Sequence, residues 1–493
     1  MIFSTPSPQL LVFTASLAVM CLELSVGRIL SGLTGGGLFT WTATVGAALA
    51  SLSLGSAWGG RFNQGREAFS LSAKFLFLAS LFSAWPLGAQ LLAGPRGPLA
   101  SLPVPLQPLL SAPILLMPGV FFLAALCPVV AAEALRGTKR PGLKVGALYA
   151  WGSLGSIAGT FLTGFLWIPW LGSQVTLLSC ACLLALLSGW TGKNRWWGRA
   201  LVWSFCCVGL SGFGRAYRGR IPEILHLKES AYHAVQVMKK GEARLLILDG
   251  MVHSRVLPGD QEELGYDYER VFSELTQDMN LPSPPRFLCL GGGGYVLPRH
   301  LLSRYPHCSV DVVEIDEQVT LAAERFLGLT NPAPFAIHHQ DARRFVQNLP
   351  RERRYDVVYS DIFKGLTVPW HLCTQEFHAD VGEHLHREGA YLINLIDQPH
   401  EGAFLASTVQ TLKQVFPHVS IHWIPDKTTQ RSRATFVVMS TFSPHAHLSS
   451  SLCERLDPVN LRDRGIVMAD SYAPVDRYLL PVVWNLKMGQ QLR

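Results

Sequence analysis

The chain has 493 residues, enough for two or three domains, with 49% hydrophobic and only 16% charged residues, too few charges for a wholly soluble protein. Its formal charge of +7 does not call for nucleic acid. Many Lys and Arg sit in short loops between apolar segments, and no basic patch is interleaved with aromatics. The ten cysteines show neither a metal-ligand spacing nor a disulfide framework, so no metal site is expected.

Apolar segments of spanning length recur at Gln9–Leu30, Leu38–Gly59, Phe69–Leu92, Ala112–Ala132, Val145–Trp167 and Gln174–Trp190, which predicts a multi-spanning helical membrane domain over 1–214. A seventh segment, Ala200–Gly214, is shorter. Basic residues follow the second span (Arg61, Arg66), the fourth (Arg136, Lys139, Arg140, Lys144) and the sixth (Lys193, Arg195, Arg199), and this bias puts the N-terminus in the cytoplasm. Six crossings leave the polar half cytoplasmic, and a seventh sends it outside. Nucleoside ligands are cytosolic, and Arg215, Arg218 and Arg220 follow the seventh segment. Ala200–Gly214 is therefore expected to lie at the interface or re-enter, in a multi-pass protein of the cell (inner) membrane whose C-terminal domain is cytoplasmic. Within the first span Glu23 precedes Arg28 by five residues. An intramembrane acid suggests function, and pairing with Arg or with another helix accounts for it equally well. Gly155 and Gly159, four apart, suit close helix packing.

Residues 215–284 open with basic residues. Ala231–Val237 and Arg244–Leu248 then alternate around Lys239–Gly241 as a β-hairpin, and Gly265–Phe272 starts a helix carrying Tyr266 and Tyr268. From 285 to 441 strands alternate with helices, predicting a Rossmann-like α/β domain with a seven-strand, mainly parallel sheet. Residues 442–493 read as a tail without periodicity. The central stretch is Phe287–Glu314: a strand, four glycines (Gly291, Gly292, Gly293, Gly294), a helix, and a second strand ending on Glu314. Glycines at a strand end let backbone N–H groups approach a ligand, and a terminal acid accepts from ribose hydroxyls. Asp341 follows the third strand and Asp361 the fourth. A nicotinamide site needs only Glu314, whereas acids after three strands suit an S-adenosyl sulfonium ligand better. Each acid also fits a helix cap or a turn.

LDGMVHS, GYDYER, LGGGGYVLPRHL, VVEIDEQV, QDARRF, YDVVYSDIF and TQEF, across Glu229–Thr441, together resemble the spermidine synthase (polyamine aminopropyltransferase) family. The N-terminal half and the closing MADSYAPVDRYL resemble the membrane-fused type. The resemblance implies an S-adenosylmethionine-transferase type of fold with decarboxylated S-adenosylmethionine, or S-adenosylmethionine, as co-substrate. It implies that Glu314 holds the ribose and Asp341 the adenine edge, that Asp361 is the base freeing the attacking amine, and that Tyr266 lines the substrate channel. Three positions depart from the family. Gly294 stands where an acid holds the aminopropyl ammonium, Lys364 where a second acid follows the base, and His253 where a Gln is usual. An ammonium about 6 Å from Lys364 is disfavoured by roughly 3 kcal/mol at an effective dielectric of about 20, so a carboxylate suits the site better than a diamine. The expected partners are a small-molecule amine or other nucleophile and the lipid bilayer, without nucleic acid, and a homodimer is compatible with them. The expected function is aminopropyl transfer. Its rivals are methyl transfer on the same fold and a membrane transport or binding protein with a non-catalytic nucleoside domain.

Overall fold

A computed structural model describes residues 6–484 except 35–36, 63–67, 94–96, 104, 193, 219–222, 261–262, 332, 364–366, 400–401, 426–432, 445–449 and 457–464. The N-terminal half is helical: α1 (Pro8–Thr34), α2 (Leu38–Gly59), α3 (Ala68–Ala93), α4 (Leu106–Leu135) and α5 (Pro141–Phe161). A π-helical turn, Leu162–Trp167, then runs into α6 (Ile168–Leu171), followed by α7 (Ser173–Thr191) and α8 (Asn194–Arg218). Six of the described helices are long and apolar enough to cross a membrane, with α5, the π turn and α6 counting as one.

Small and hydroxyl residues let these helices touch. A Cβ at Gly155 or Gly159 would strike the backbone of Phe13 or Leu17, so α5 lies directly on α1. The contacts also fix helix directions. Ser51 donates to the Met117 carbonyl at 2.8 Å, and Gly59 abuts Ala125, so α2 and α4 run parallel. Ser80 bonds the Ala181 carbonyl (2.6 Å) and Ser188 the Ala73 carbonyl (2.7 Å), so α3 and α7 are antiparallel.

Ala200–Gly214, expected to lie at the interface or re-enter, is helical. It is the body of α8, a 25-residue helix, about 37 Å long at 1.5 Å per residue. α8 returns antiparallel along α7: Trp197 and Ala200 meet Gly189, Cys182 faces Ser204, and Cys207 packs on Leu178. Polar residues lower the mean hydropathy of α8, which is not among the six helices apolar enough to cross. The α/β domain meets the opposite end of the bundle from Pro8. Arg28, late in α1, donates to the carbonyls of Ser230 (2.8 Å) and Tyr232 (3.1 Å), and Ser173 at the start of α7 donates to Glu229 (2.5 Å). Pro8 and the α/β domain therefore lie at opposite ends of the helical bundle. Arg28 pairs with the α/β domain rather than with Glu23.

The expected hairpin is the middle of a four-stranded antiparallel sheet, β1 (Ile224–Glu229), β2 (Ala234–Lys240), β3 (Ala243–Leu248) and β4 (Met251–Val256), in that order. Next come α9 (Asp267–Gln277), β5 (Arg286–Leu290), α10 (Val296–Arg304), β6 (Ser309–Val313), α11 (Glu317–Ala322), β7 (Ala336–His338), α12 (Ala342–Gln347) and β8 (Tyr355–Ser360). The chain then runs through α13 (Gln375–Glu383), β9 (Leu385–Asp397), α14 (Ala403–Leu412), β10 (His418–Ile424), β11 (Ala434–Thr441), β12 (Glu454–Leu456) and α15 (Val475–Trp484). The second sheet has the order β12-β10-β11-β9-β8-β5-β6-β7. β7, β6, β5, β8 and β9 are parallel, and β10–β12 add antiparallel pairings.

The sheet thus has eight strands rather than the expected seven. The eighth, β12, is only three residues long and comes from the supposed tail. α15 comes from the same tail and buries Val475, Leu479 and Val482 at helical spacing. Central strands are apolar on both sides because both faces are covered. Phe287, Cys289, Val357 and Tyr359 join one core, and Leu288, Leu290 and Val358 the other.

Candidate active site

The carboxyl ends of β5, β6 and β8 converge because the turn after β5 starts with a glycine. Gly291 has φ +100°, and a Cβ there would strike the carbonyl of Asp361. Its N–H donates to Val313 (2.9 Å), and the Asp361 N–H donates to Leu290 (2.9 Å). The loop, Glu314 and Asp361 therefore border one cavity of about 1240 Å³, together with Asp341, Tyr266, Tyr268 and His253.

Glu314 is buried. Its carboxylate accepts from the N–H groups of Gly292 (3.0 Å), Gly293 (3.4 Å) and Asp316 (3.0 Å). Burial raises its pKa above the ordinary value, and the N–H bonds oppose the rise. Asp316, two residues on, accepts from Ser230 Oγ at 2.5 Å and lies 3.2 Å from His233 Nδ1. Because the Ser230 carbonyl also accepts from Arg28, a chain of polar contacts joins Glu314 to α1. Sequence reasoning missed Asp316, Ser230 and His233. The signal available was a second acid in VVEIDE and a turn Ser facing it.

Asp341 takes the helix-capping role as well as lining the cavity. Its Oδ1 accepts from Arg343 (3.0 Å) and Arg344 (3.2 Å), and its Oδ2 meets His371 Nε2 at 2.9 Å. His253 lies on β4, where burial pushes its pKa down to about 4, with His233 assisting. Tyr266 stacks on Tyr268 with centroids 5.8 Å apart, and burial, then Glu269 and Asp361, push its phenol up to about 12. Lys364 lies outside the described residues.

Asp361 sits in a polar cluster that the sequence only half disclosed. Oδ2 accepts from the Tyr268 hydroxyl at 2.6 Å and Oδ1 from Asn394 Nδ2 at 2.9 Å. Burial raises its pKa, and both hydrogen bonds oppose the rise. Asn394 is the one polar side chain in the apolar run YLINLI of β9, a signal that went unread. Its Oδ1 is buried without a partner, which costs free energy unless a ligand donor satisfies it. Glu269, one residue beyond Tyr268, is buried, and burial plus the charge of Asp361 raise it to about 8. A protonated amine entering here meets a carboxylate with raised basicity, an unused carbonyl acceptor and stacked tyrosine rings. These residues fit an S-adenosyl co-substrate, with Glu314 offering lone pairs to a ribose beside close-approaching glycines.

At Gly294, where the resemblance implies an acid, there is no room for a side chain. A Cβ there would lie 2.8 Å from Ser254 Cβ and 2.9 Å from Val256 Cγ2, and the Gly294 N–H donates to Ser254 Oγ at 2.8 Å.

Comparison with known proteins agrees with this geometry. Residues 265–449 match the spermine/spermidine synthase domain. The polyamine aminopropyltransferase of Vibrio vulnificus (strain CMCP6) is 28% identical over 200 residues, covering 39% of this chain and 65% of that protein. Polyamine aminopropyltransferase 1 of Aquifex aeolicus (strain VF5) is 26% identical over 211 residues, covering 41% and 71%. The spermidine synthase structure from Thermotoga maritima aligns with a TM-score of 0.36 at 17% identity, over 49% of this chain and 84% of that one. The chain therefore spans 65% of the length of the first of these relatives, and its helical half lies outside the matched domain. Residues 265–449 are thus similar to the spermine/spermidine synthase domain, and an N-terminal helical region lies outside that match.

Proposed function

We propose that the chain is a membrane-anchored transferase that moves an aminopropyl group from decarboxylated S-adenosylmethionine to an amine. The observation that carries this reading is Asp361: a buried carboxylate with raised pKa, held by Tyr268 and Asn394 beside a glycine loop and a ribose-type acid. An ammonium is not nucleophilic, so Asp361 takes a proton from it. The freed nitrogen attacks the methylene beside the sulfonium, an N–C bond forms, and the C–S bond breaks with its electron pair passing to sulfur. The products are the N-aminopropyl amine and neutral 5′-methylthioadenosine. Glu314 and the glycine loop position the donor, and the tyrosine pair excludes water from the reacting nitrogen.

Methyl transfer is the second reading, favoured because Gly294 leaves no room for the acid that would hold an aminopropyl ammonium. The two differ in product. Purified protein is supplied with decarboxylated or intact S-adenosylmethionine and a panel of amines. Aminopropyl transfer yields 5′-methylthioadenosine from the first donor. S-Adenosylhomocysteine from the second, with none of the former product, overturns the first reading.

A further inference from the structure

The cavity that holds Asp361 does not stop at the α/β domain. Its wall continues onto Leu24 and Arg28 of α1, Trp41 of α2, Gly164 of the π turn, and Ile168 and Pro169 of α6. At about 1240 Å³ it exceeds the roughly 300–1,000 Å³ of ordinary small-ligand pockets. Leu24 lies one helical turn deeper in the bundle than Arg28. Gly164 is exposed, and a Cβ there would meet nothing within 4 Å. Its neighbours Phe165 and Trp170, 71% and 81% exposed, stand on the outer apolar face of the bundle. The π turn therefore puts a gap between the cavity and that face, as such bulges do at functional sites.

The chemistry along the cavity is ordered. Asp249, Asp267, Glu314, Asp341 and Asp361, with Arg433, border its α/β part, Arg28 is a cation held at the domain junction by the Ser230 and Tyr232 carbonyls, and Leu24, Trp41 and Ile168 are apolar. A soluble diamine carries two cations and meets Arg28 with the wrong sign. The complementary order is ammonium, anionic group, hydrocarbon.

We propose that the acceptor is a membrane-borne primary amine of the aminophospholipid class. It enters past Gly164 with its amine at Asp361, its phosphate at Arg28 and its chains along Leu24 and Trp41. This rests on the transfer reading above and names its acceptor. The covalent step is the same, so the lipid amine gains the aminopropyl group and 5′-methylthioadenosine leaves.

The test uses the full chain in nanodiscs of dioleoyl phosphatidylcholine with or without dioleoyl phosphatidylethanolamine, supplied with labelled donor. Phosphatidylcholine has no amine proton to lose and is the negative control. Label should pass to phosphatidylethanolamine, and Gly164→Leu should lower that by about tenfold or more, the scale of methylene misfits in a pocket, with 5′-methylthioadenosine binding unchanged. A diazirine-tailed phosphatidylethanolamine should cross-link to the Leu24 and Trp41 segments in the wild type and not in Gly164→Leu. The proposal is overturned if putrescine is labelled and lipid is not. It is equally overturned if cross-links fall only on Phe165 and Trp170, alike in both proteins. Cross-links inside the cavity with no transfer to any amine overturn the transfer reading and leave the lipid site standing.

Discussion

Asp361→Asn tests the base while keeping shape, since Asn can still meet Tyr268 and Asn394. A positioned general base contributes about 10²–10⁴-fold to rate, which is roughly 3–5.5 kcal/mol. The assay is 5′-methylthioadenosine release against pH, with calorimetry of 5′-methylthioadenosine binding alongside. The rate constant should fall by about that factor while binding holds. Tyr268→Phe gives the finer test. Asp361 must be ionised to accept a proton, and burial already raises its pKa against the pull of the Tyr268 hydroxyl. Removing a bond of about 1.5–3 kcal/mol to a charged group raises that pKa by about one to two units. The acid limb of the profile should move to higher pH by that amount, with the plateau kept. An Asp361→Asn variant at wild-type rate, or an acid limb displaced downward in Tyr268→Phe, refutes the base assignment.

Glu314→Ala should weaken 5′-methylthioadenosine binding by about 1.5–3 kcal/mol, and Glu314→Gln by less; unchanged calorimetric affinity in both removes Glu314 from the site. Glu269 is raised from 4.5 to about 8 in the fold, so its stabilising contribution is present below about 4.5 and lost as pH rises through 8. Glu269→Gln should raise the melting temperature at pH 9 and hardly change it at pH 4, and equal shifts at both would show that the carboxyl is not buried. Lys364→Asp should shift competition binding from intact towards decarboxylated S-adenosylmethionine; an unchanged ratio means that residue 364 does not face the site. Gly294→Asp is not the variant to pair with it, because Ser254 and Val256 occupy the space.

Much of the α/β domain was legible because its signals are local. The FLCL and VVYS runs are strands buried on both faces, and the glycines mark where one strand end must pass another. Glu314, Asp341 and Asp361 could be placed by counting strand ends. What failed depends on partners far away in sequence. β12 is three residues paired to β10, and no alternation shows at that length. Asn394 reads as a strand interruption until Asp361 is beside it. Tyr266 borders the cavity, but the hydroxyl that reaches Asp361 belongs to its neighbour Tyr268, and only the fold brings that pair together.

The helix directions also force a choice that the sequence seemed to avoid. α1 carries the chain from Pro8 to Arg28 at the junction with the α/β domain, and α8 brings it back to that same end. The basic loops around Arg61, Lys139 and Arg195 lie at the opposite end, with the N-terminus. By charge bias that end is cytoplasmic, which places Asp361 outside. Transfer from a donor made in the cytosol requires the reverse, with the α/β domain inside and the basic loops outside. Arg215 and Arg218, late in α8 at the domain end, offset part of the bias but do not equal it. The transferase reading therefore commits to an orientation against the rule. A fluorescent protein fused at Arg493 should fluoresce, and alkaline phosphatase there should be inactive; phosphatase inserted at Lys139 should be active. The opposite pattern puts the site out of reach of a cytosolic nucleoside donor, and leaves a nucleoside-binding membrane protein as the reading that stands.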